Sequence, residues 1–301
     1  MLKLRLLAGA VMIAALSGIL WTDLYVLHDS ILFHLFFLVG SWLCFMEFWN
    51  LSRATGHQTF SIWGTFSGCA LVVVHYWAMR QATYGTVHSL QLANNVTNGA
   101  LAVAILGAFL LTARRQQFEA SLGALAVTCL GLLYVYFLPS FVLTLRHLGP
   151  DGRIGGPVEN WNLFGHKMVV ATIVLAKGCD VWAFAIGKIL GKHKAFPILS
   201  PGKTIEGLAA GLIGSMLTAL FLWWEPIGVL SVFKSPLKPC ILGICIGFAG
   251  IMGDLSESLL KRSAGAKDAG GVVPGYGGVM DVADSLMVAG PVAYFLIQAM
   301  L

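Results

Sequence analysis

Nine apolar runs of about 20 residues follow one another along the 301-residue chain with little between them. That length of apolar sequence is what an α-helix needs to cross a hydrocarbon core of about 30 Å. The runs predict helices near residues 6–22, 31–50, 60–79, 99–113, 121–145, 166–186, 205–224, 237–256 and 281–300. The fourth is short because Asn94, Asn95, Thr97 and Asn98 crowd its start. Hydrophobic residues make up 57% of the chain and charged ones 11%, against about 25% charged in soluble domains. The expected fold is an all-α integral membrane protein of about nine transmembrane helices, a single polytopic domain over residues 1–301. No internal repeat or low-complexity tract stands out, and the longest polar connection, 146–166, reads as irregular.

Lys3 and Arg5 ahead of an apolar run could pass for a signal peptide, but no clear small-x-small cleavage site follows and many spans do. The run is read as a first transmembrane helix that stays. With the N-terminus inside, 12 of the 19 Lys and Arg residues fall in inner segments, six in outer ones, and Lys177 within a span. This bias predicts a multi-pass protein of the cytoplasmic (inner) membrane with the N-terminus inside and the C-terminus outside. It places the loops after the sixth and eighth spans on the same, cytoplasmic face. The net charge of +5 is scattered, which speaks against a nucleic-acid partner and for a basic face toward anionic lipid. All six cysteines lie in or beside apolar runs with no C-x-x-C pair, and read as reduced packing residues.

Residues 254–284 interrupt this apolar pattern most sharply. They hold five of the 14 acids in the chain (Asp254, Glu257, Asp268, Asp281, Asp284), together with Lys261, Arg262, Lys267 and six glycines. Asp254, Glu257, Ser258 and Lys261 are spaced i, i+3, i+4, i+7 and share one helical face. Asp281 and Asp284 share another, and a hairpin of the two helices could bring Asp254 and Asp281 to a common point. Converging carboxylates beside Lys and Arg suit a hard cation with a bound polyphosphate, and Gly270, Gly271, Gly275, Gly277 and Gly278 let backbone amides approach phosphate. The competing reading is a salt-bridged, solvated loop of a transporter.

A second polar stretch follows the sixth span: Lys177, Asp180, then residues 187–207, GKILGKHKAFPILSPGKTIEG. Lys188, Lys192, Lys194 and Lys203 with Ser200 and Thr204 form a phosphate-seeking loop. It is not a Walker A loop, because Pro197 stands where the first glycine is required. An ordinary positive-inside excess explains the lysines but not Asp180, Glu206 or the compact SPGKT.

Together these residues carry a family resemblance. The 254–284 stretch resembles the signature of the CTP-dependent phosphatidate cytidylyltransferases (CDP-diacylglycerol synthases), as Ser258, Lys261-Arg262, Lys267-Asp268, Gly270, Pro274, Tyr276-Gly277-Gly278, Asp281 and Asp284. The second stretch resembles the family's other motif, as Asp180, Ala183, Phe184, Gly187-Lys188, Gly191-Lys192, Ser200-Pro201, Lys203-Thr204 and Glu206-Gly207. Glu47-Phe48-Trp49 is a weaker echo. The specific match covers about the last 130 residues.

The resemblance implies a transfer of a cytidylyl group from CTP to phosphatidate, releasing pyrophosphate and making CDP-diacylglycerol for phospholipid synthesis. It assigns residues 1–145 to N-terminal helices and 166–301 to catalytic helices and loops around a polar, cytoplasm-facing cavity. It implies Mg²⁺, with room for a monovalent cation such as K⁺, held by Asp254 and Asp281 with Asp284 as a further candidate. The catalytic set is Asp281, Lys261, Ser258, Asp268 and Asp284. The phosphate-binding set is Ser200, Lys203, Thr204, Arg262, Lys267, Tyr276, Gly277 and Gly278. CTP, phosphatidate or a related phospholipid acid, and membrane lipid are the implied partners, and a homodimer is compatible with the sequence.

The chain departs from the pattern where Tyr276 takes the usual His and Val282 the usual Arg. Tyr can donate a hydrogen bond but does not shuttle protons near neutral pH, and Val282 removes a fixed positive charge. These changes leave the metal ligands intact and bear on the lipid acceptor or the rate. Two rival readings are a CTP-dependent polyprenol- or phytol-type lipid kinase and a cation-coupled transporter. The transporter would favour two related halves, which the sequence does not show. The eight histidines (28, 34, 57, 75, 88, 147, 166, 193) show no ligand spacing and read as interfacial or packed. Glu47 is either an interhelical partner or a site member. Lys177 snorkels or pairs with Asp180, and Trp21, Trp77, Trp223 and Trp224 fit interfacial belts.

Overall fold

The computed structural model describes residues 2–56, 60–84, 90–115, 118–153 and 158–301. His57, His88 and residues 154–157 of the 146–166 connection lie outside the described residues, as do the side chains of Lys3 and Arg5. Helices take up 79% of the molecule, which is the all-α membrane architecture. Among the described residues, nine helical segments are long and apolar enough to cross a membrane, and the protein is a multi-pass membrane protein.

In chain order the helices are α1 (Leu2–Thr22), α2 (Ile31–Ala54), α3 (Ser61–Tyr84), α4 (Leu90–Arg115), α5 (Phe118–Gly131), α6 (Leu138–Arg146), α7 (Val158–Leu190), α8 (Ile205–Trp223), α9 (Leu237–Ser263) and α10 (Met280–Met300). A π-helical turn over Asp23–Leu27 extends α1. Another, Leu132–Phe137, joins α5 to α6 into one span. The second π turn adjoins Pro139 in the first turn of α6, where a missing N–H and a fixed φ disturb the ladder least. Between α7 and α8, β1 (Lys194–Phe196) and β2 (Ser200–Thr204) form a small antiparallel hairpin.

Two connections differ from the sequence reading. The fourth span is not short: α4 begins at Leu90, so Asn94, Asn95 and Asn98 are helical. α7 begins at Val158, so the second half of the supposedly irregular 146–166 stretch is helix. Polar residues at a helix end look like loop when only apolar periodicity is read, because periodicity carries no information about a polar pocket.

The last four helices make the tightest part of the molecule. α7 packs on α8, α8 on α9, and α9 on α10, with small residues at the crossings that let backbones approach. Gly253 shows how close: a Cβ there would stand 2.3 Å from the Asp284 carbonyl oxygen. Any larger residue would push α10 away from α9, and with it the carboxylates that both helices carry.

Candidate active site

The charged residues of the two polar stretches meet at one end of the α7–α10 bundle. α9 presents Asp254, Glu257, Ser258 and Lys261 on its shared face, and α10 presents Asp281 and Asp284 from its first turns. α7 contributes Lys177 and Asp180, and β2 contributes Lys203. Carboxylate oxygens of Asp254, Glu257 and Asp284 lie within 4.8 Å of one another. Glu257 is fully buried and Asp284 nearly so.

Lysines alternate with these acids. Lys203 Nζ lies 2.6 Å from Asp254 Oδ2, Lys177 Nζ 2.9 Å from Asp284 Oδ1 and 4.0 Å from Asp180, and Lys261 bridges Glu257 and Asp281, the latter at 2.7 Å. Five carboxylates thus face three ammonium groups, an excess of two negative charges when all are ionised. In a low-dielectric surrounding such an excess is relieved by protonating a carboxyl or by further positive charge nearby. Glu257 Oε1 is buried without a hydrogen-bond donor. A bound divalent cation would satisfy both conditions, and hard oxygen donors suit Mg²⁺, so the residues present fit a metal.

The sequence pairing of Asp254 with Asp281 is drawn differently here. Asp284, nearly one turn further along α10, is the α10 residue that joins Asp254 and Glu257. Asp281 stands beside them with Oδ1 on Lys261 and Oδ2 accepting from the backbone amides of Ala269, at 3.0 Å, and Gly278, at 2.7 Å. It thereby ties the glycine loop to both helices. Gly277 adopts φ +112°, a left-handed value that favours glycine, and a Cβ there would stand 2.8 Å from Asp281 Oδ2. Gly278 is buried against the Glu47 carboxylate.

The remaining predicted residues occupy the rim or play local roles. Asp268, Lys267 and Arg262 are exposed, and Arg262 donates to the carbonyls of Leu199 and Ala266, joining the hairpin to the glycine loop. Ser258 donates to Asp254 Oδ1 at 3.4 Å. Ser200 is half-buried in the hairpin. Thr204 is the N-cap of α8, its hydroxyl accepting from Gly207 N, and Gly187 and Gly191 leave the room that hydroxyl occupies. His193 and the amides of Lys192 and His193 are held by Glu206. Tyr276 is exposed, with its hydroxyl against Gly9 of α1.

Three contributions go beyond what the sequence assigns. Glu257 was on the right face, i+3 from Asp254, but was not singled out as a ligand. Lys177 reaches Asp284 as well as Asp180. Glu47 of α2 is buried and accepts from the amides of Val279 (2.9 Å) and Met280 (2.8 Å), so a carboxylate caps the N-terminus of α10 just before Asp281. The Glu47-Phe48-Trp49 echo was the available signal.

Comparison with known proteins places the chain among relatives of known family. A phosphatidate cytidylyltransferase of Synechocystis is 34% identical over 210 residues, 62% of this chain and 66% of that protein. One from Staphylococcus haemolyticus is 30% identical over 241 residues, 80% and 81% of the two chains. The chloroplastic phosphatidate cytidylyltransferase 4 of Arabidopsis thaliana is 36% identical over 220 residues, 68% of this chain and 52% of that protein. The match to the cytidylyltransferase family runs from residue 3 to residue 300, so it takes in both polar stretches and the α2 segment that caps α10. The chain belongs to the cytidylyltransferase family.

Proposed function

We propose that this protein transfers a cytidylyl group from CTP to phosphatidate, giving CDP-diacylglycerol and pyrophosphate, at a site on the cytoplasmic face of the inner membrane. The observation that carries the reading is the carboxylate trio of half-buried Asp254 and buried Glu257 and Asp284, interleaved with Lys177, Lys203 and Lys261. Such a site suits a cation together with a polyphosphate. The names of the relatives support the substrates, and the excess of Lys and Arg on one face supports an inside N-terminus and an outside C-terminus.

In this reading a phosphatidate phosphate oxygen attacks the α-phosphorus of CTP. The bond from the α-phosphorus to the α–β bridging oxygen breaks, and pyrophosphate leaves with the bonding electrons. Mg²⁺ held by Asp254, Glu257 and Asp284 would neutralise phosphate charge. The rest is the work of the chain's own cations. Lys203 and Lys261 lie within reach of the same oxygens, and Arg262 and Lys267 stand at the rim where charge builds on the departing pyrophosphate. Asp281 and Glu47 act as positioning residues, holding the glycine loop and the start of α10.

Purified protein given labelled CTP, phosphatidate and Mg²⁺ should release pyrophosphate and form a labelled lipid. CDP as the nucleotide product would assign a kinase instead. No turnover with any phosphorylated lipid would overturn the enzyme reading. Titrating K⁺ at fixed Mg²⁺ tests whether a monovalent ion joins the site.

A further inference from the structure

At the end of the bundle opposite the carboxylates, a cavity of about 790 Å³ lies between α4, α6 and α10. Tyr294 on its wall is 13 residues beyond Asp281, about 20 Å along the helix axis, so this space is separate from the charged site. Its size falls in the range of small-molecule pockets, about 300–1,000 Å³. Five amide side chains line it: Gln91, Asn94, Asn95, Asn98 and Gln298. Among the described residues, no Lys, Arg, Asp or Glu does.

Amides inside a membrane protein usually bind helices together, which closes the gap between them. Here they surround a gap, because α4 packs chiefly on α3 and α5. The Asn94 and Gln298 side chains lie beside the Tyr294 hydroxyl on the cavity wall. A buried histidine adjoins the same space. His75 lines the cavity and is 1% exposed. Its Nε2 lies 3.0 Å from Thr144 Oγ1, while its Nδ1 is buried with no hydrogen-bond partner.

We propose that this cavity holds the uncharged, hydroxyl-bearing head group of a membrane lipid. Amides both donate and accept, which matches a hydroxyl, which does the same. An ionised phosphate would find no counter-charge on these walls and would be expensive to desolvate. Phe137, Phe141 and Phe295 supply apolar faces for the glycerol or sugar carbons and the upper acyl chain. Phe295 is 58% exposed on the outside of the bundle, which opens the cavity toward lipid.

The test uses the full-length protein in nanodiscs with photoactivatable diacylglycerol and, separately, photoactivatable phosphatidate. Cross-linked peptides are mapped by mass spectrometry. The diacylglycerol probe should mark peptides containing residues 91–98 and 291–298, and excess unlabelled neutral lipid should suppress the marking. Asn95→Leu/Asn98→Leu should lower it roughly tenfold, with labelling elsewhere unchanged. Gln298→Leu serves if the double variant is not monodisperse. A glycosylated diacylglycerol that competes better than diacylglycerol supports a sugar head group, and the reverse order supports bare glycerol. Labelling spread over the lipid-facing surface, labelling insensitive to competitor and variants, or equal labelling by the phosphatidate probe would overturn the proposal.

Discussion

The two ends of this bundle meet the same physical problem in opposite ways. Polar groups within a membrane protein must find partners. At the α9–α10 junction they are full charges, acids alternating with lysines and an uncancelled excess of acid. At the other end the cavity walls carry amides, hydroxyls and a histidine, and the charges nearby are few: Asp23 and Arg146 are buried and Arg80 pairs with Asp29 at 3.4 Å. His34 lies with its ring centroid 5.7 Å from that of His75 and 5.5 Å from that of His147. His147 Nε2 and Nδ1 lie 2.9 Å and 3.2 Å from the Ser30 and Thr83 hydroxyls. Burial holds His147 well below the usual histidine range, so it stays neutral. A cluster with more acids than lysines invites a cation and a phosphate, whereas a cavity walled by amides invites a ligand without charge.

The largest expected effect breaks the charged end directly. Asp284→Ala removes one carboxylate of the trio and leaves Lys177 with only the more distant Asp180. Turnover measured as pyrophosphate release should fall by about 10³-fold or more. Asp281→Ala should likewise abolish turnover, and unchanged activity would remove Asp281 from the site. The metal itself can be read without catalysis. Saturating Mg²⁺ should raise the midpoint of thermal unfolding, by about 2.7 kcal/mol of stabilisation at 100 times its Kd. Asp254→Asn should shrink that shift, and an equal shift in the variant would place the metal elsewhere.

Glu47 sharpens the comparison, because it belongs to the N-terminal helices yet serves the charged end. Glu47→Ala should lower kcat about 10–100-fold, and Glu47→Asp should recover part of it. A fall in thermal stability with kcat unchanged would make Glu47 a structural cap alone. At the opposite end, Asp23 caps α2 by accepting from the amides of Leu32 and Phe33. Asp23→Ala should cost about 1–2 kcal/mol of stability with kcat unaltered. Smallest of all, Asn95→Leu/Asn98→Leu should leave cytidylyl transfer unchanged. A large drop would show that the two ends are coupled.

Much of the charged end was readable because its spacing is local. Asp254, Glu257, Ser258 and Lys261 fall on one face by helical arithmetic alone, and Asp281 and Asp284 likewise. Which of them converge was not readable, since it depends on how far α10 slides along α9, and the Gly253 contact with Asp284 sets that. The cavity at the other end was nearly invisible. Asn94, Asn95 and Asn98 looked like a helix-breaking preamble, and His34, His75 and His147 are too far apart in the chain to suggest a cluster.

The sequence by itself determined the membrane class, the number of spans, the two stretches of the chain that hold charge, and the chemistry those charges suit. Hydrophobic length and i, i+3, i+4 spacing are properties of a single helix, so one strand of text carries them. Only the tertiary structure decided that Glu257 and Asp284 join Asp254, that Glu47 caps α10 from 232 residues away, and that amides on α4 and α10 face one cavity. These are relations between helices, set by close packing at small residues, and no local pattern encodes them.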